Sequence, residues 1–285
     1  SGSSTSGTTG DDTTGSDSGG GDDNTTPDGV CTRWNYDMSM TTPGMWTGSV
    51  AGCDAGDYVG GGKGSTLTLV NLYRWLADLP PVTLNDDHSA KAQECALMMH
   101  ANGTLNHNPP MNWQCYTANG AAAAGKSNIA TTAGTASVGL YMLDPGNPMT
   151  IGHRRWILSN SLGTIGIGST SNYSCMWVIS GGGQGNKQWT AWPAPGPFPI
   201  AAAVDSTGWT VQSDAIGLSN ATVKVTADGV DKPMQVTSLL SNYGSASAIS
   251  MIPQGWKSEA GKTYKVEVTN VDPPISYEVE FVDCN

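Results

Sequence analysis

Groups able to move a proton, hold a metal or attack a carbonyl are scarce in this sequence, which has four His and five Glu among 285 residues. Glu259, Glu267, Glu278 and Glu280 all fall near the C-terminus, and only Glu94 precedes them. Candidate chemistry therefore gathers on His107, Ser127, Asp144 and His153. Ser127, His107 and Asp144 are the residue types of a nucleophile, its base and an orienting acid. The Ser127 surroundings, Gly125-Lys126-Ser127-Asn128, are not the Gly-X-Ser-X-Gly elbow of a strand-to-helix turn, so a serine hydrolase lacks its usual support. A zinc site wants about three or four close His, Cys or carboxylate ligands. His107 with Asp144 supplies two of them, and His153 would complete a trio. Two of the chain's Arg stand together in His153-Arg154-Arg155, which points instead to a buried or paired role, with these groups holding a helix end through carbonyls and an Asp. No metal and no cofactor is expected. Asn128 can hydrogen-bond the loop near His107, and with Arg154, Arg155 and Trp156 it makes up the non-catalytic binding candidates. His88 and His100 are assigned no role.

These residues need helices and strands to position them. Ser65 is a plausible N-cap for a helix whose Leu69, Leu72, Tyr73 and Leu76 share one face, ended by Pro80 and Pro81. Asn85, Asp86 and Asp87 cap a second helix with Ala92, Cys95, Ala96 and Met99 on one face, stopped at Asn102-Gly103. A third runs Ala136 to Leu143 and a short one holds His153 to Leu158. Ile165, Ile167 and Met176 to Ile179 read as short strands. From Pro193 to Pro199 every second residue is Pro, which predicts a stiff extended connector and a domain boundary. Beyond it Thr222 to Thr226, Tyr264 to Thr269 and Tyr277 to Val282 alternate with period two, as in a small immunoglobulin-like β-sandwich. The expected organisation is α+β: a Gly/Ser/Thr/Asp-rich tail over 1–30, a Cys-containing lead over 31–64, a helix-and-sheet domain over 65–192, the linker 193–199 and the β-sandwich over 200–285.

Charge and cysteines bound the setting. The net charge of -11 argues against nucleic acid and anionic lipid as partners. No stretch approaches the roughly 18 apolar residues of a transmembrane segment, and the chain opens at Ser1 without a basic, apolar leader, as a processed form would. The tail has almost no apolar surface to offset its ordering entropy, so alone it reads as a flexible acidic stalk. Cys31, Cys53, Cys95, Cys115, Cys175 and Cys284 are even in number, and sequons begin at Asn24, Asn102, Asn172 and Asn220, both in keeping with an exported, oxidising compartment. Neighbours in sequence suggest the pairs Cys31–Cys53, Cys95–Cys115 and Cys175–Cys284, with buried free thiols as the alternative for some of the six. Trp189, Trp192, Trp209 and Trp256 flank the expected junction, as core packing or as a carbohydrate or protein docking surface.

Leu105-Asn106-His107, then Gly125-Lys126-Ser127-Asn128-Ile129-Ala130, then Gly152-His153-Arg154-Arg155-Trp156-Ile157-Leu158 resemble, in order and spacing, bacterial members of the CAP superfamily, the cysteine-rich secretory, antigen 5 and pathogenesis-related 1 proteins. The likeness spans about residues 65–192 and implies an α-β-α sandwich, export, disulfides and a groove with two His and two acidic residues that sometimes binds a divalent metal. By this resemblance the first His falls on His107, the first Glu on Ser127 and the second acid on Asp144 after Tyr141-Met142-Leu143. The second His belongs near Cys175 to Val178, where none occurs, so the acidic and imidazole set is incomplete.

Three functions follow from different classes. The first is an exported or cell-surface scaffold that binds protein or carbohydrate without catalysis. The second is a subunit of an extracellular filament or assembly whose N-terminal tail adds to an open sheet edge of its neighbour. The third is a hydrolase using the remnant groove.

Overall fold

The computed structural model describes residues 23–285. The chain runs through α1 (Pro27–Ser39), β1 (Met45–Trp46), β2 (Tyr58–Val59), α2 (Gly62–Leu76), β3 (Thr83–Leu84), α3 (Asp86–Asn102), α4 (Ala118–Ala124), β4 (Ser127–Ala130), α5 (Ala136–Leu143), α6 (Gly152–Ile157), β5 (Thr164–Ser169) and β6 (Ser174–Trp177). It then continues as β7 (Thr190–Trp192), β8 (Gly196–Pro199), β9 (Trp209–Ser213), β10 (Thr222–Ala227), β11 (Val230–Asp231), β12 (Met234–Ser238), β13 (Ser247–Pro253), β14 (Thr263–Thr269) and β15 (Ile275–Val282).

The first half is a sheet of order β3-β5-β6-β4 with helices on both faces. Alternation along β5 sets the layers. Ile165 and Ile167 join the core built on α2 and α5, with Leu69, Leu72, Leu76 and Val138. Gly166 and Gly168 face α3, where an added Cβ would come within 2.3 Å of His88 and 2.2 Å of Ala92, so only glycine lets the helix lie this close. The contact is also bonded, with Ser89 Oγ accepting from Ile167 N and Gln93 bridging Ser169 N and O. Behind α3 a second core forms from Ala92, Cys95, Ala96, Met99, Ala123, Ala124 and Ile129.

Helix ends follow the sequence closely for α3, where the Asn85 side chain caps His88 N and Gly103 closes the helix at φ 64°. They do not for α2, which begins at Gly62 after Gly61, while Ser65 Oγ accepts from Thr42 N. Ser65 is therefore a brace between the lead segment and the helix rather than its cap.

The second half is a two-sheet β-sandwich, order β11-β10-β14-β15-β8 against β12-β13-β9-β7. The Pro-rich segment enters it directly: its β8 pairs parallel with β15, after β7 just before it has paired antiparallel with β9. Proline is excluded from central strands, and β8 sits at a sheet edge, so the rule that predicted a connector is met by an edge strand over Gly196–Pro199. Trp192, Phe198, Trp209, Tyr264 and Phe281 are each at most 1% exposed and pack edge to face, with Trp209 and Tyr264 at 5.7 Å and 90°. For Trp192 and Trp209 this is core packing rather than a docking surface.

The three expected disulfide pairings are all replaced, by Cys31–Cys284, Cys53–Cys115 and Cys95–Cys175. Sequence proximity misleads because bridges follow spatial contact. Cys95 on α3 faces Cys175 on β6 through the fully buried second core, and Cys53 of the lead reaches Cys115 in the loop before α4. Cys31 lies on α1, which packs on α2 and β8 and so meets the C-terminal end of the chain. Of the expected tail, residues 1–22 lie outside the described residues, while Pro27–Val30 open α1 behind the Thr26 cap, so helix replaces stalk there. Among the sequons, Asn172 and Asn220 are exposed, whereas Asn24 Nδ2 donates to Trp75 O and Asn102 Nδ2 to Met98 O and Gln114 O.

Candidate functional site

Two adjoining chambers, of about 770 and 520 Å³, form one groove over the β4 end of the first sheet. His107, Asn147 and His153 line both. His107 sits in the loop after α3, and its Nδ1 lies 2.8 Å from Ala124 O at the end of α4. A carbonyl only accepts, so Nδ1 carries a proton and Nε2 is left to face the groove.

His153 is held by Asp144. The left-handed C-cap position of α5, φ 56°, turns the Asp144 carboxylate inward, where it is 1% exposed. Oδ2 accepts from His153 N at 2.9 Å, while Oδ1 accepts from His153 Nδ1 at 2.9 Å and from Asn147 Nδ2 at 2.6 Å. Asn128 Nδ2 then bonds His153 O at 3.0 Å, and the Tyr141 ring lies 5.2 Å from the imidazole. His153 thus has a fixed ring orientation with Nε2 not committed to Asp144.

Asp144 consequently serves His153, not His107, and the expected nucleophile, base and acid do not form a chain. Ser127 is 5% exposed, and its Oγ finds no hydrogen-bond partner among the described residues. Among the described residues no group of three or more His, Cys, Asp or Glu is placed to hold a metal ion. His88 and His100 stay outside the groove, stacked on Trp177 at 4.3 Å and on Tyr173 at 5.5 Å.

The two Arg after His153 point the other way and are fully buried. Arg154 donates to Met142 O, Leu143 O and Thr207 Oγ1, and also to Gly208 O and Thr210 Oγ1. Burial pulls its guanidinium down to about 9 from an ordinary 12.5, with the Asp144 charge opposing. Arg155 binds Thr150 O, Leu240 O and Ser245 and is pulled by burial to about 10. Both fasten the helical domain to the sandwich, so neither can touch a ligand. Trp156 remains half-buried and lines the second chamber.

The model of the Cysteine-rich secretory protein family, CAP, matches residues 67–179. This segment is a CAP domain. No curated protein and no solved structure matches the chain. The CAP match ends just after β6, and the groove extends past it. Asn242 and Tyr243, from the loop between β12 and β13, close the second chamber beside Trp156 and Gly152. Sequence reasoning missed them, together with Asn147 and Thr150. These residues lie in loops with no periodicity, and nothing local in the chain marks a loop some 90 positions beyond the CAP motif as part of its groove. One local signal was readable only in space: Ile151 has φ 42°, a region costly for a β-branched residue, and its buried side chain packs on Leu239 and Ala248 of the sandwich.

Proposed function

We propose that this is an exported, extracellular or cell-surface CAP-domain protein that acts by binding rather than by catalysis. The observation that carries the reading is the commitment of Asp144. Both of its oxygens are filled by His153 and Asn147, and Ser127 Oγ makes no hydrogen bond, so the groove has no nucleophile joined to a base. Three disulfides support an oxidising setting, and among the described residues no helix is long and apolar enough to cross a membrane. The β-sandwich order supports an immunoglobulin-like domain, since β7-β9-β13-β12 reads as strands A-B-E-D facing β15-β14-β10 as G-F-C. Its part in the reading is to complete the groove.

The test is hydrolytic. Purified protein should release nothing above blank from chromogenic esters or from casein, and His107→Ala should leave that background unchanged. Turnover abolished by His107→Ala or by His153→Ala refutes the reading.

A further inference from the structure

The groove's chemistry is narrower than its family. None of the residues lining either chamber is Asp, Glu, Lys or Arg. This holds in a chain of net charge -11, so a ligand held by carboxylate, ammonium or guanidinium groups has no partner there. The lining instead combines uncharged groups that donate and accept: the amides of Asn106, Asn108 and Asn147, the hydroxyls of Thr131 and Ser127, and the two imidazoles. Several of these have capacity to spare. Ser127 Oγ is buried without a partner among the described residues, and both His have Nδ1 engaged, leaving Nε2 for a ligand. A ligand lacking hydroxyls or amides would leave them desolvated and unpaired, at a cost of about 1–3 kcal/mol each.

The second feature is aromatic. Trp156 and Tyr243 stand together in the second chamber, one from each domain. Tyr243 is 37% exposed, yet its loop is pinned: Leu240 N donates to Met149 O, Arg155 donates to Leu240 O and Ser245, and the Arg155 guanidinium lies 6.0 Å from the Tyr243 ring. An exposed but preordered ring beside an uncharged, hydrogen-bonding wall suits a molecule with one apolar C–H face and hydroxyls around its edge. Each chamber falls in the range of about 300–1,000 Å³ that holds a small ligand, and their junction at His107, Asn147 and His153 makes a path longer than one ring.

We propose that the groove binds a neutral oligosaccharide, stacked on Tyr243 and Trp156 and hydrogen-bonded along His107, His153, Asn147 and Ser127. The inference rests on the binding reading above and names its ligand class. It also assigns the sandwich a direct role in recognition, through the 239–246 loop.

The experiment is titration of the full chain with cellotetraose, maltotetraose and tetra-N-acetylchitotetraose, read by saturation-transfer NMR and calorimetry, beside an uncharged extended hexapeptide. At least one tetrasaccharide should saturate at millimolar concentration or below, and glucose-type against acetamido-type probes show which sugar the amides prefer. Tyr243→Ala and Trp156→Ala should each weaken binding by about tenfold, the scale of one lost aromatic contact. Tyr243→Phe, which keeps the stacking ring, should retain it. Tyr243 is exposed, so its variants test binding without dismantling a core. No saturation by any of the three sugars overturns the proposal, as does binding indifferent to both aromatic variants. Binding of the hexapeptide alone overturns it while leaving the binding reading intact, whereas cleavage of a bound sugar keeps the ligand class and refutes the non-catalytic reading.

Discussion

Replacing Arg154 by Met tests whether the motif after His153 is a structural bolt between domains. The guanidinium is fully buried and serves five acceptors on two sides, the end of α5 and residues 207–210 of the sandwich. Met fills much of the volume but bonds none of them. Leu143 O keeps the Thr207 hydroxyl, whereas Met142 O and Gly208 O lose the side-chain donor described for them. An orphaned buried acceptor costs about 1–3 kcal/mol, giving roughly 2–6 kcal/mol gross. Removing a charge that was costly to bury offsets part of this, so we expect a net loss of about 3 kcal/mol. For a protein of this size that is a fall of about 6–12 °C in Tm. The assay is thermal and urea unfolding followed by far-UV circular dichroism and by Trp fluorescence. Wild-type protein should unfold with coincident transitions, and Arg154→Met should separate them as the domains lose their common bolt. Arg154→Lys should rescue little, because one ammonium cannot span both sets of acceptors. A loss below about 1 kcal/mol with transitions still coincident would refute the assignment.

Two further outcomes follow from the same structure. On graded reduction the disulfides should open in order of burial, with Cys53–Cys115, of which Cys53 is exposed, first, half-buried Cys31–Cys284 next and fully buried Cys95–Cys175 last; alkylation and mass spectrometry read the order, and early loss of Cys95–Cys175 contradicts the buried placement. For His88, burial lowers the pKa below 6.5, with Asp87 raising and Lys91 lowering it, and its buried Nδ1 has no partner to receive a second proton. The unfolded chain therefore binds the proton more readily, so this contribution to stability is present above about pH 6.5 and is lost as pH falls below it; His88→Gln should flatten the urea midpoint between pH 7 and 5, and an unchanged slope overturns the assignment.

What was legible in the sequence was what is local. The Asn85 cap, the Gly103 stop and the one-sided Ala92, Cys95, Ala96, Met99 spacing fix α3 without reference to the rest of the chain. Helix α1 was hidden because its first residues share the tail's composition, and it is held by what lies far away: Val30 and Trp34 in the common core and Cys31 on Cys284. Disulfide pairing failed for the same reason, being a property of packing and not of spacing.

The site divides along that line too. His107, Ser127, Asn128, Asp144 and His153 were named from local motifs, and the structure gathers them around one groove, but which of them serve each other was decided by backbone direction. The left-handed turn at Asp144 aims its carboxylate at His153 and away from His107. Successive residues on the short α6 then diverge, so that His153 faces the groove while Arg154 and Arg155 grip the sandwich. A helix six residues long thereby ties the orientation of a groove imidazole to the seating of the β-sandwich. Moving the sandwich would shift Arg155, the 239–246 loop and Tyr243 together, and α6 with them. The groove is therefore walled by both halves of the fold, and the segment 67–179 alone would lack the wall that Asn242 and Tyr243 supply.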